Sequence, residues 1–387
     1  MPFNLVPRGP LSQTLADFAA LRDRWAEPQE VLSIITIIGG DIVQGALAQL
    51  TSSTTHYFTP VAFSFGWVAY SFSAILQVIG SRRLAPDPDC RCTLIEVEEG
   101  YARDVNSWPL ARLVRDYEHP PQSFPPDGGT PRGLTISFYQ TSPVATAGVA
   151  DKDWVYYLGV LTIILQIGVA IIPGVLVGNW TILILTFGGE ILVQVHASLP
   201  QWKKELWAAR KIPDLRNPHE VACLTRGNGS SYVIVIRSDD CGIKLSDLAA
   251  GREVQCKSTT MSTYVLAVLW LVHLFTVGGV GTNTWYLCAV GAMGMVQNAI
   301  ASGVRRKPGA LGFHLEEVHV VHNEKVFAAL REAEDFEPLV GVRLTDIFFP
   351  GGIRPDEEAW KQEKLENYAA EKRRRKAMQK KELMFSV

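Results

Sequence analysis

WVYYLGVLTIILQIGVAIIPGVLVGNWTILILTFGGEILVQVHASL, residues 154–199, contains no Lys or Arg and one acidic residue, Glu190. The spacing predicts two apolar helices, 154–173 and 176–199, joined by a very short link. A helix crosses a hydrocarbon core of roughly 30 Å with about 20 mainly apolar residues. Four more apolar blocks, 31–50, 59–80, 261–278 and 284–304, repeat the pattern in pairs. A single block would also suit the buried helix of a soluble protein. Three closely spaced pairs point to a membrane.

The charge distribution sets the expected orientation. Lys and Arg number 3 in residues 1–30, 8 in 81–153, 10 in 200–260 and 16 in 305–387, which is the full 37. The links near 51–58, 174–175 and 279–283 hold none. Positive flanks stay on the cytoplasmic side. The expectation is therefore an α-helical integral membrane protein with six transmembrane helices in three hairpins, a small cytosolic α+β insert and a charged C-terminal tail. Both termini are expected in the cytosol, with the protein in the endoplasmic reticulum or the plasma membrane.

The domains follow from the same blocks. Residues 1–30 are an N-terminal segment in which Leu11, Leu15, Phe18, Leu21 and Trp25 recur at helical spacing, as an interfacial or surface helix would. No cleavable signal is expected there. Then come a first hairpin over 31–80, a loop over 81–153, a second hairpin over 154–199, a loop over 200–260, a third hairpin over 261–304 and a tail over 305–387. Thr93–Val97 reads as a strand, and Asn106 or Ser107 can cap a short helix with Pro109 in its first turn. Val221–Thr225 and Tyr232–Ile236 flank RGNGSS and predict a β-hairpin. Helices are expected near Leu245–Ala250, near Glu324–Asp335 and from Pro355, the last carrying the basic run 372–376. That run reads as a solvated helix end or as a contact for anionic lipid.

Two acids stand apart from the other 37. Asp41 and Glu190 each fall about 15 Å from the nearest cytoplasmic helix end, at 1.5 Å per residue. An ionisable side chain at that depth costs about 2.5–3.5 kcal/mol on the insertion scale, so neither is expected to face lipid. Gln44 and Gln194 lie one turn from them, and His273, Gln166 and Asn298 offer further polar lining. A carboxyl kept neutral in such a place is what a general acid requires. Asp41 and Glu190 are thus the candidate catalytic pair, with Gln44, Gln194 and His273 in support. Two other readings stay open: a structural pair hydrogen-bonded between helices, and ion or solute translocation. Translocation is disfavoured by the lack of discontinuous-helix signals in matching halves.

Other features are weaker. Cys90 and Cys92 are too closely spaced for an ordinary zinc half-site. His314, His319 and His322 cluster with Glu316 and Glu317, but on a strand His319 and His322 point to opposite faces. GGVGTNT at 278–284 lacks the lysine of a phosphate loop. No metal, cofactor or nucleic acid is expected, and the six cysteines give no disulfide framework.

Three strings, FTPVAFSFGWVAYSF at 58–72, LTRGNG at 224–229 and FFPGGIRPDE at 348–357, resemble a group of multi-pass membrane proteins of filamentous fungi. The group has no assigned activity, so it transfers no functional residue. Small terpene cyclases of fungal secondary metabolism start cyclisation with buried acids, an analogy of mechanism without matching motifs. The function expected is acid-assisted conversion of a lipophilic metabolite in the bilayer, of cyclisation or isomerisation type. The alternative is a non-enzymatic membrane carrier, or a scaffold that recruits cytosolic proteins through its loops. The residues do not decide whether the chain is an enzyme.

Overall fold

The computed structural model describes residues 39–51, 58–80, 83–117, 133–212, 219–252 and 256–385. The expected N-terminal helix lies outside them, and so does all but the last residue of 119–133, a Pro- and Gly-rich stretch expected to be an irregular linker. The molecule has two layers, a helical bundle and a sheet-centred unit.

The bundle is built from α1 (Gly40–Leu50), α2 (Gly66–Ile79), α4 (Trp154–Val177), α5 (Thr181–Ala197), α8 (Lys257–Gly278) and α9 (Thr284–Gly303). Two of these, α4 and α8, are long and apolar enough to cross a membrane. A third span is added if α5 and the short α6 (Pro200–Leu206), bent by 43° at their junction, count as one. In α9 the pair Gln297-Asn298 lowers the hydropathy of an otherwise apolar 20-residue helix. The burial pattern is inverted relative to a soluble helix. On α4 the buried stripe is Val155, Gly159, Thr162, Gln166, Ala170, Pro173 and Gly174, while Trp154, Tyr157, Leu161, Ile164, Leu165 and Ile172 are exposed. Small and polar residues inside with large apolar ones outside suit a helix surrounded by lipid tails.

The first hairpin departs from expectation. The helix expected over 59–80 begins only at Gly66, and residues 58–65 are non-helical yet almost entirely buried. Pro60 removes a donor and disfavours helix at Thr59, but a helix could still start there; the backbone groups of Ala62 and Phe63 are instead taken by side chains of α4, α5 and α9. Gly66 touches Gly39, and Gly40 touches Ala69 and Tyr70. Helices α1 and α2 therefore start side by side inside the bundle.

The second layer is a six-stranded mixed sheet of order β2-β1-β4-β5-β3-β6. Its strands are β1 (Thr93–Glu96), β2 (Tyr101–Asp104), β3 (Leu134–Thr141), β4 (His219–Thr225), β5 (Tyr232–Asp239) and β6 (Leu315–Asn323). The expected hairpin is present as β4–β5, antiparallel. It is not a small insert, however: β3 pairs with β5 in parallel, and β6 pairs with β3. All three segments between and after the hairpins thus supply one sheet. One face is covered by α3 (Trp108–Tyr117), α7 (Leu245–Ala249) and the short α10 (Pro308–Leu311), through Leu110, Leu113, Val114, Leu245, Leu248 and Leu311. The other is covered by α11 (Val326–Phe336) and α12 (Val340–Phe348), through Leu330, Ala333, Val340 and Leu344. Burial on both faces accounts for the nearly continuous apolar runs of β4 and β5. The terminal helix α13 (Pro355–Phe385) packs Leu365 and Tyr368 onto the second face. Lys372, at the head of the basic run, pairs with Glu98 at 3.6 Å.

Candidate functional site

The polar residues of the bundle converge on the buried 58–65 segment. Phe63 N–H donates to Glu190 Oε1 at 2.8 Å, and Phe63 C=O accepts from Gln166 Nε2 at 2.7 Å. Ala62 N–H donates to Gln297 Oε1 at 3.1 Å. Ala62 C=O accepts from Asn298 Nδ2 and Trp67 Nε1, each at 3.1 Å. Gln194 grips Thr59 twice, accepting its N–H at 3.1 Å and donating to its carbonyl at 2.9 Å. Side chains from α4, α5 and α9 thus replace the bonds a helix would have made internally.

The segment also comes close to helix backbones. A Cβ on Gly159 would overlap the Pro60 carbonyl, and one on Gly294 would overlap the Phe63 carbonyl. Counting from the helix ends next to the sheet unit, Glu190, Gln166 and Gly294 lie roughly 10–18 Å along their axes at 1.5 Å per residue. Beside them the rings of Phe63, Trp270 and Trp67 stack in sequence, with interplanar angles of 11° and 10°. Trp270 Nε1–H donates to His196 Nδ1 at 3.1 Å, and His273 lies edge-on to Phe63 at 5.4 Å.

Of the five residues expected to form one site, the structure brings together Glu190, Gln194 and His273. Asp41 is not with them: it is exposed on the first turn of α1, an end of a helix that favours negative charge. Gln44 is elsewhere too, donating to Gln77 Oε1 at 3.1 Å and to the Leu84 carbonyl at 2.8 Å. The expected shared chamber for two carboxyls is therefore corrected to one buried carboxyl, Glu190, 7% exposed. Its Oε2 has no hydrogen-bond partner among the described residues, and neither do His196 Nε2 and His273 Nε2. Gln297 and Trp270 were not expected at the site. The adjacent amides Gln297-Asn298, in an apolar helix, were the available signal for the first.

The histidine cluster of the tail serves other ends. His319 stacks on Phe336 at 4.5 Å, His322 hydrogen-bonds Thr135 at 2.9 Å, and His314 bonds the Val149 carbonyl at 2.8 Å. Among the described residues no group of His, Cys, Asp or Glu is arranged to hold a metal.

The two layers meet in a network of buried charges. Arg306 pairs with both oxygens of Asp153 at 2.8 Å, donates to the Gln49 carbonyl and bonds Asp116 through its own N–H at 3.2 Å. Arg112 joins Asp89 at 2.7 Å and Asp116 at 3.1 Å, and donates to the Val304 carbonyl at 2.7 Å. Arg115 donates to the Gly303 carbonyl at 3.2 Å. Two guanidiniums at the C-terminus of α9 also suit its dipole. Compared with protein-family models, with curated proteins and with solved structures, the chain matches none.

Proposed function

We propose that this protein is a non-enzymatic membrane carrier that passes protons or small cations along a buried, non-helical segment. The observation that supports it is the 58–65 backbone, held at depth by side chains of three other helices. Irregular backbone inside a bilayer is tolerated only when it is buried in protein or lines a water-filled path. Discontinuous elements of this kind, with acids at mid-depth, are features of ion and proton pathways. Glu190 supplies the acid, and its second oxygen is the group that would meet the ion.

In this reading α4, α5, α8 and α9 cross the bilayer and the sheet unit is cytosolic. The α1–α2 pair and the 58–65 segment form a re-entrant element entered from the sheet side. Helix α2, with 14 residues, is about 21 Å long and too short to cross alone. Acid-assisted conversion of a lipophilic metabolite is less well supported. It needs open aromatic faces to stabilise a cationic intermediate, whereas Phe63, Trp270 and Trp67 cover one another.

The test is flux in proteoliposomes. The purified full chain should conduct H⁺, Na⁺ or K⁺ above empty vesicles under an imposed potential, and Glu190→Gln should reduce that flux at least tenfold while remaining folded. Flux equal to empty vesicles for all three ions overturns the proposal.

A further inference from the structure

We infer that the ion taken up is a proton, bound on Glu190 Oε2 and shared with Gln166 Oε1, an assignment that rests on the carrier reading above and names its ion. Both side chains hold one residue: Glu190 Oε1 accepts the Phe63 N–H at 2.8 Å, and Gln166 Nε2 donates to the Phe63 carbonyl at 2.7 Å. Gln166 Nε2 also donates to the Val290 carbonyl at 2.8 Å. A flipped amide would set its oxygen against two carbonyl oxygens, so Gln166 Oε1 is the remaining atom. That oxygen and Glu190 Oε2 are buried without a hydrogen-bond partner among the described residues. Two acceptors at one residue therefore lack a donor. A protonated carboxyl supplies it, and a single O–H···O bond then serves both. On uptake one O–H bond forms at Oε2 as one breaks in a hydronium ion, and the carboxylate becomes a neutral acid; release reverses the step.

The surroundings suit a proton rather than a metal cation. A cation stripped of water needs a shell of oxygens, as backbone carbonyls provide in selective channels. Here the carbonyls of Pro60, Ala62 and Phe63 already accept side-chain N–H groups of Gln297, Asn298 and Gln166, and those hydrogens repel a cation. Beyond Glu190 Oε2 and Gln166 Oε1, the amide oxygen Asn298 Oδ1 of α9 is open among the described residues. Three oxygens are fewer than the roughly six that surround a hard cation. Nor do the bundle helices offer a counter-charge: residues 39–80, 154–199 and 258–304 contain no Lys or Arg. An ionised Glu190 would stand alone at a depth where charge is costly, whereas the loaded, neutral acid needs neither counter-ion nor water.

The experiment follows H⁺, Na⁺ and K⁺ fluxes separately through the purified full chain in proteoliposomes, and records infrared spectra of the same chain in detergent at neutral pH. H⁺ flux is expected well above that of empty vesicles, with Na⁺ and K⁺ at the empty-vesicle level; this selectivity needs no variant. Wild type minus Glu190→Gln should show the carbonyl stretch of a protonated carboxyl, shifted down in heavy water. Gln166→Met should move that band up, as happens when an acid O–H loses its acceptor. Na⁺ or K⁺ flux above empty vesicles, or a carboxylate band in place of the acid band, overturns the proton and leaves the carrier reading standing. Flux of none of the three overturns the carrier reading and the assignment with it. A band that Gln166→Met leaves in place removes Gln166 from the site. If that variant does not fold, the wild-type band decides: at the frequency of a free acid, the shared hydrogen is overturned.

Discussion

The carboxylate of Glu190 accepts the backbone N–H of Phe63 at 2.8 Å, across 127 residues of sequence. It is a side chain doing the work of a helix carbonyl. Without it the Phe63 amide is a buried donor with no acceptor, which costs about 1–3 kcal/mol. Glu190→Ala should therefore destabilise the bundle by about that amount. Glu190→Gln keeps an acceptor at Oε1 and should unfold close to wild type. Thermal unfolding of both variants in one detergent checks this, and an alanine variant as stable as the glutamine variant would remove the structural role.

The close approach of 58–65 to its neighbours makes a second, sharper prediction. Gly159→Ala and Gly294→Ala each place a methyl against a backbone carbonyl of the segment, at Pro60 and Phe63. Backbone cannot swing aside as a side chain can, so each should cost about 1–3 kcal/mol by overpacking. Gly168→Ala, on the same helix as Gly159 but with open space around it, should be neutral or slightly stabilising through helix propensity. Expression level and melting temperature of the three variants give the answer.

The contrast between these glycines also shows where the sequence was readable. Blocks 154–199 and 261–304 announce helices because nothing interrupts their apolar runs, and α4, α5, α8 and α9 appear there. Block 59–80 has the same composition but begins Thr59-Pro60. Proline suits the first turn of a helix, so a helix starting at Pro60 and one starting at Gly66 look alike in one dimension. The groups that distinguish them, Gln166, Glu190, Gln194 and Gln297-Asn298, lie more than 100 residues away. Each was visible as a polar residue in an apolar helix. Their common target was not, because a backbone leaves no signature in composition. The sheet was half legible for a similar reason. The β4–β5 hairpin is local and carries its own turn, whereas the β3–β5 and β3–β6 pairings join segments far apart in the chain.

Acid should loosen the joint between the layers. Burial pushes the Asp153 carboxyl up, but hydrogen bonds and charge from Arg306 outweigh it and hold it below the usual carboxylate range. A carboxyl whose folded pKa is depressed stabilises the fold fully above its unfolded value of about 3.9 and loses that contribution as pH falls through the folded value. Wild-type stability should therefore decline from roughly pH 5 downward. Arg306→Ala should cost on the order of 2–3 kcal/mol at pH 7, less than for a fully buried pair because Asp153 keeps some contact with solvent. Its stability should then fall less steeply below pH 5. Parallel pH profiles of melting temperature test both statements, and superimposable slopes would show that this pair carries no acid sensitivity.

The re-entrant arrangement proposed for 58–65 predicts which side of the membrane Phe58 faces. Thr51 and Phe58 line the same cleft as Lys152, Lys203 and Arg306, at the bundle end that joins the sheet unit. Two ordinary crossing helices over 31–80 would instead carry the link between them to the opposite surface. A cysteine at position 58, where the native residue is 44% exposed, distinguishes the two. Of the six native cysteines, Cys90 and Cys241 are partly exposed, so both are first replaced by serine. In sealed vesicles an impermeant thiol reagent should label Phe58→Cys from the same side as Asp151→Cys. Gly281→Cys, exposed in the turn between α8 and α9, should label from the other side. If Phe58→Cys instead labels together with Gly281→Cys, the segment crosses the bilayer. The contacts of Glu190, Gln194 and Gln297 would then serve to pack a spanning strand, and the pathway proposed along it would lose its entrance.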